Sequence, residues 1–248
     1  MITWRLLMEY DGTRYRGWQE QKQVRTVAGE VRRAAERFLQ SEVEIQGAGR
    51  TDAGVHAIGQ VARMRSHYDC KIGEFCRGVN QFLPEDIHLL RAQKVAGKFD
   101  ARRDAEERYY LYQISQRRTA FAKRYVWWVK DELDIEKMML AAAAIVGRHD
   151  FAAFCEAGEE EKSTQVEVER TEIGLDGSLI LFRIGASHFL WKMVRRLVGM
   201  LVEVGRGKTS VAEFGSLLRL RGRDILERRA RVAEKTAPPS GLGDEPPK

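Results

Sequence analysis

Residues 2–39, ITWRLLMEYDGTRYRGWQEQKQVRTVAGEVRRAAERFL, decide the fold. The first nine of them are β-rich and stop at Asp11-Gly12, a strong turn signal. After Thr26 the period changes. Val27, Val31, Ala34, Ala35, Phe38 and Leu39 recur at helical spacing, with Arg32, Arg33 and Arg37 off that stripe. A strand is thus followed by an amphipathic helix.

The pattern continues outward. Val43 and Ile45 start a strand that runs into Gly47 and Gly49, and residues 58–65 make another. A short helix near 71–80 and a strand over 86–95 close the first half. The second half repeats the scheme. Residues 108–115, RYYLYQIS, are strongly β, and residues 134–146 are helical behind the Asp134 cap. Residues 165–173 and 178–185 alternate like a hairpin around Asp176-Gly177. Residues 188–204 read as a long amphipathic helix. Each half is strand–helix–strand–strand–helix, with a last strand clear only in the first. The expected fold is therefore α+β: two pseudo-symmetric split-βαβ (ferredoxin-like) halves with mainly antiparallel sheet. The expected division is residues 1–100, residues 101–235 and a tail over 236–248. That tail, TAPPSGLGDEPPK, holds four of the five prolines and almost no apolar side chains.

Composition narrows the function classes. The 248 residues are 44% hydrophobic and 31% charged, which excludes a largely disordered chain. No apolar run approaches the ~18–20 residues of a membrane span. The start, MITWRLLMEYDG, does not read as a signal peptide, so a cytoplasmic protein is expected. Lys and Arg exceed Asp and Glu by 42 − 36 = 6, and 30 of the 42 cations are Arg. The guanidinium fork suits phosphate, which makes nucleic acid a candidate partner; an Arg-preferring proteome gives the same bias. The cysteines, Cys70, Cys76 and Cys155, have no metal-type spacing, and none of the five histidines forms an i, i+4 pair, so no metal site is expected.

The stretch that carries chemistry is Gly47-Ala48-Gly49-Arg50-Thr51-Asp52-Ala53-Gly54-Val55-His56-Ala57. It leaves a strand through two glycines, then presents Arg50 and Asp52. Glycine lets a ligand approach closely, and a carboxylate beside a guanidinium stays ionised. The same residues also suit a tight turn with an Asx-type hydrogen bond and a surface arginine. No Gly-Lys-Ser/Thr follows, so this is not a Walker loop. On a helix over 188–204, Phe189, Met193, Leu197, Val198 and Leu201 share a wide apolar face. Arg195, six positions from Phe189, falls opposite it at ~100° per residue. Tyr110 and Tyr112 share one strand face by alternation, with Tyr109 on the other.

The eleven-residue stretch resembles the signature of the TruA family of tRNA pseudouridine synthases. So do Tyr10–Gln19, Gly59-Gln60-Val61, Asn80–Ile87, Phe99-Asp100-Ala101-Arg102 with Arg108–Tyr112, Asp150-Phe151 and Met193-Val194-Arg195. The likeness covers residues 3 to about 235. It implies that Asp52 is the catalytic nucleophile, that Arg195 contacts it, and that Tyr110 stacks on the target base and accepts a proton. It implies one central active-site cleft built from both halves, with Arg50 holding the flipped nucleotide. It implies uridine-to-pseudouridine isomerisation at tRNA positions 38–40, on the 3′ side of the anticodon stem-loop, by a homodimer. The reaction breaks N1–C1′, turns the base and joins C5 to C1′ without redox change, so no cofactor is needed. Two departures stand out. Lys192 and Arg196 flank Met193-Val194-Arg195 where the family often has His and Asn, and both add positive charge. After Pro238-Pro239-Ser240-Gly241-Leu242, the family's closing apolar strand is replaced by Gly243–Lys248. Other readings are an RNA-binding protein without turnover, or a carboxylate-dependent hydrolase using Asp52 and His56.

Overall fold

A computed structural model describes residues 1–156, 163–219 and 232. The chain forms two compact units, Met1–Glu106 and Glu107–Lys248. The expected tail over 236–248, and the replacement of the closing strand, lie outside the described residues.

The first unit runs β1 (Ile2–Tyr10), α1 (Val27–Leu39), β2 (Val43–Gly47), β3 (Ala57–Ser66), α2 (Ile72–Phe82) and β4 (Ile87–Val95). The sheet order is β2-β3-β1-β4, and every neighbouring pair is antiparallel. Each strand–helix–strand crossover therefore straddles a third strand, as the split-βαβ reading expected. On β1, Trp4, Leu6, Met8 and Tyr10 are buried and alternate with Arg5, Leu7 and Glu9, the period of two that a half-covered sheet demands. Trp4 stacks on Phe75 of α2 with ring centroids 4.5 Å apart. Burying each such side chain contributes roughly 1.5–3 kcal/mol. The stripe on α1 buries Val27, Val31, Ala34, Ala35 and Leu39. Its Phe38 ring sits where a Cβ on Gly78 of α2 would lie, at 2.0 Å, so only glycine lets the helices close.

The second unit runs β5 (Arg108–Ser115), β6 (Trp127–Trp128), α3 (Ile135–Ala143), β7 (Gly147–Asp150), β8 (Gln165–Asp176), β9 (Leu179–Ala186), α4 (Met193–Gly205) and α5 (Val211–Leu217). Its sheet order is β6-β5-β9-β8-β7. β5, α3, β8, β9 and α4 repeat the chain order and the strand arrangement of β1, α1, β2, β3 and α2. β8 and β9 form the expected hairpin, turning through Gly177 at φ +55°. The edge position that β4 fills in the first unit is taken by two-residue β6, which pairs with β5 in parallel. Phe151, Phe154, Phe182, Leu197, Leu201 and Phe214 are buried at the centre of this unit.

The helix expected over 188–204 is shorter and differently covered. It begins at Met193, because Lys192 has a left-handed backbone (φ +61°, ψ +6°) that cannot continue into the preceding residues as a helix. The Trp191 carbonyl is taken up instead by the Glu156 N–H at 3.2 Å. Eleven of the thirteen residues of α4 are buried, so it is a central helix covered nearly all round, not a one-faced amphipathic one. Among the described residues no helix is long and apolar enough to cross a membrane.

Candidate active site

The loop between β2 and β3 carries Arg50 and Asp52. At its feet the hairpin ladder persists one step, with the Ala48 N–H donating to the Val61 carbonyl at 2.8 Å. The Gln60 side-chain amide donates to the Gly49 carbonyl at 2.8 Å. The paired residues of β2 end at Gly47. The opening turn of the protein, residues 10–18, holds the loop beyond. The Trp18 N–H donates to the Thr51 carbonyl at 3.0 Å, and the Gly54 N–H donates to the Tyr15 carbonyl at 3.3 Å. The Tyr10 and Thr51 hydroxyls share a hydrogen bond of 2.8 Å. The Val55 N–H donates to the Asp52 carbonyl at 3.2 Å, closing a turn whose third residue, Gly54, has φ +77°. Backbone on both sides of Asp52 is thus fixed by a second segment.

Two glycines make that contact possible. A Cβ on Gly12 would lie 2.0 Å from the Val55 carbonyl oxygen, and one on Gly17 would lie 2.5 Å from that of Thr51. Gly17 also has φ +91°, which L side chains rarely adopt. His56 belongs to the same brace. Its Nδ1 accepts from the Gly12 N–H at 3.2 Å and lies 3.0 Å from Asp11 Oδ1. The turn is anchored in its own right. The buried Tyr15 donates its hydroxyl to Asp86, and Arg25 lies over the Tyr15 ring, 4.7 Å from its centroid. Burial, and then Asp86, push the Tyr15 hydroxyl far above its ordinary range, so it remains a donor. Within this scaffold Asp52 is half-buried and Arg50 exposed.

In the second unit Tyr110 and Tyr112 lie half-buried on one face of β5, while Tyr109 is exposed on the other. The alternation expected from the sequence is therefore present. The Tyr110 ring meets Phe189 edge-on, with centroids 4.9 Å apart, and Tyr112 meets Trp127 at 6.5 Å. Burial pushes the Tyr112 hydroxyl well above the tyrosine range, and the positive Arg195 opposes that push. Arg195 is half-buried in the first turn of α4. The structure so gathers Tyr110, Tyr112, Phe189 and Arg195 about one sheet face, but the helical-wheel argument that reached Arg195 used residues 188–192, which are not helical.

Lys192 and Arg196 also differ from the expectation that they simply add positive charge. Arg196 is buried. Its Nη1 donates to the Cys155 carbonyl at 2.6 Å and its Nη2 to Glu156 Oε1 at 3.1 Å. Lys192 Nζ donates to the same carboxylate at 2.9 Å. Both cations pin residues 155–156 to α4. In the Phe99–Arg102 motif, Asp100 accepts from the backbone N–H groups of Arg102 and Arg103, each at 3.0 Å. Those bonds, with Arg103 and Arg63 nearby, hold its carboxyl below the usual range.

Sequence reading missed the brace. Its signal was two glycines five residues apart, set among Tyr10, Tyr15 and Trp18, where neither a strand nor a helix was expected. Among the described residues no three His, Cys, Asp or Glu side chains converge as a metal site.

A sequence profile of the family described as tRNA pseudouridine synthase matches residues 6–102 and 141–245. Proteins named tRNA pseudouridine synthase A from Brucella ovis, Brucella canis and Brucella suis are each 36% identical to this chain over 247 residues. Those alignments cover 98% of this chain and 96% of each relative. A shared fold alone does not keep a third of the side chains in common from end to end, and this chain belongs to the tRNA pseudouridine synthase family, whose members are isomerases acting on tRNA.

Proposed function

We propose that this protein converts uridine to pseudouridine in the anticodon arm of tRNA, at positions 38–40, with Asp52 as the nucleophile. Residues 1–100 contribute Asp52 and Arg50; residues 101–235 contribute Tyr110 and Arg195. The observation that carries the reading is the bracing of the Asp52 backbone by residues 10–18 in a chain of this family. A carboxylate that must attack one carbon of a flipped nucleotide needs its backbone immobilised, because an error near 1 Å can cost about a hundredfold in rate.

The chemistry needs few parts. The target uridine leaves its stack at a cost of a few kcal/mol, and Arg50 holds the displaced nucleotide. Asp52 attacks as a carboxylate, a recognised covalent role. Attack at C6, attack at C1′ and a glycal route all use the same group. The N1–C1′ bond breaks, the base turns, and C5 bonds to C1′. The C5 proton is then lost to Tyr110, and N1 ends protonated. Arg195 keeps Asp52 ionised and aimed. The protein acts as a homodimer in the cytoplasm.

The test is tritium release from C5-labelled tRNA under single-turnover conditions. Asp52→Asn and Asp52→Ala are expected to lose turnover while binding tRNA within a few-fold of the parent. An Asn variant that still forms pseudouridine would reduce Asp52 to a turn residue and end the proposal.

A further inference from the structure

The segment that leaves β5 and runs through β6 gives only Trp127 to the site just described, yet its composition is unusual. Residues 116–130, QRRTAFAKRYVWWVK, hold five cations and no carboxylate. Elsewhere several arginines are paired with carboxylates: Arg32 reaches Glu20 and Glu36, and Arg206 reaches Asp131 and Glu203. Here, among the described residues, Arg117, Arg118, Lys123 and Lys130 have no carboxylate within ion-pair distance. All four are exposed.

The loop also shows aromatic rings to water. Phe121 at its tip is fully exposed, and Trp128 is 43% exposed with Arg118 lying 5.6 Å from its ring centroid. The base of the loop, by contrast, is built in. The Ser115 hydroxyl donates to the Arg117 carbonyl at 2.6 Å, and the Gln113 side chain donates to the Tyr125 carbonyl at 3.3 Å. Val126 and Val129 are buried on the return leg. A firmly rooted loop therefore presents uncompensated cations interleaved with exposed rings. A wholly exposed phenylalanine gains nothing from folding, and unpaired neighbouring cations repel one another. Both features are favourable against a polyanion that offers flat π-faces, which is unpaired RNA. A protein surface offers the charge without the stack of rings.

We infer that residues 116–130 form a second RNA contact, in which Phe121 and Trp128 stack on unpaired bases of the tRNA substrate while Arg117, Arg118, Lys123 and Lys130 meet its phosphates. The inference rests on the tRNA reading above and adds a surface to it, away from the Asp52 loop in sequence.

The experiment measures tRNA affinity over a salt series for the parent chain and for four variants. Replacing Arg117 and Lys123 together by Ser is expected to weaken binding about tenfold at moderate salt and to lower the slope of log affinity against log salt by about 1.5 to 2. Phe121→Ala is expected to weaken binding at least about fivefold with the slope unchanged, and Phe121→Trp to restore it. Lys137→Ser, which removes an exposed cation paired with Asp134 outside the loop, is the charge control and is expected to stay within about twofold of the parent. Loop variants that bind as tightly as the parent would overturn the inference while leaving the proposed function standing. A parent protein that neither binds tRNA nor forms pseudouridine would sink both. Altered sedimentation of the Phe121→Ala variant with unchanged tRNA affinity would make the loop a contact between copies of this chain and overturn the RNA assignment.

Discussion

Gly17 shows how much rests on a side chain that is absent. Its lack of Cβ lets the Trp18 N–H reach the Thr51 carbonyl, and its φ of +91° turns the chain into that contact. Gly17→Ala adds both a clash with backbone and a strained dihedral. The strain costs about 1–3 kcal/mol, and the displaced loop is expected to lower the single-turnover rate about a hundredfold or more. Thermal unfolding and tritium release measure the two separately; a stable and fully active variant would show that the brace does not position Asp52. Asp100 gives a pH signature at the same scale. Its carboxyl is held below the ordinary value of 3.8, first by the Arg103 N–H and then by Arg102 and the nearby guanidinium groups. A depressed carboxylate stabilises the fold above its unfolded value, and that contribution disappears as pH falls through the folded value. The gap in melting temperature between the parent and Asp100→Asn should therefore be constant above about pH 5 and shrink below pH ~4. A gap that widened on acidification would contradict this.

At the scale of elements, α4 is the unexpected one. Its sequence period announced a helix, but the period cannot tell a surface helix from one enclosed by a sheet, α3 and α5. Its start at Met193 depends on Lys192 adopting a left-handed backbone and on the Trp191 carbonyl bonding to residue 156, which are tertiary facts. Arg196 then serves as an internal tie. Arg196→Met leaves the buried Cys155 carbonyl without its guanidinium donor, while the half-buried Glu156 carboxylate keeps Lys192, so the expected cost is about 1–3 kcal/mol. Arg196→Lys should recover only part of it, because an ammonium cannot span two acceptors as a fork does. Chemical denaturation of the two variants checks the order. If Met were as stable as Arg, the tie would be dispensable.

For the molecule as a whole, net charge carries an expectation about tRNA binding. The net charge of +6 and the predominance of Arg imply that tRNA binding is driven in large part by counterion release. Affinity is expected to fall at least about a hundredfold between about 50 and about 200 mM salt. Filter binding across that range measures it, and a salt-independent affinity would require a recognition surface other than phosphate contact. Each sheet has its own covered face and its own core.

Periodicity and turn chemistry were enough to read β1, α1, the β8–β9 hairpin and the doubled α+β order, because these features depend on which residues face a core and which residues can turn. The ordered motifs were enough for the family, since so many matches in sequence leave little room for chance. The brace around Asp52 was not readable, because it consists of backbone hydrogen bonds between segments some forty residues apart and of the space left by missing Cβ atoms. Nor were the beginning of α4, the burial of Arg196 or the two-residue β6. A side chain's letter states its chemistry; whether an arginine faces phosphate or a buried carbonyl is decided by what packs around it.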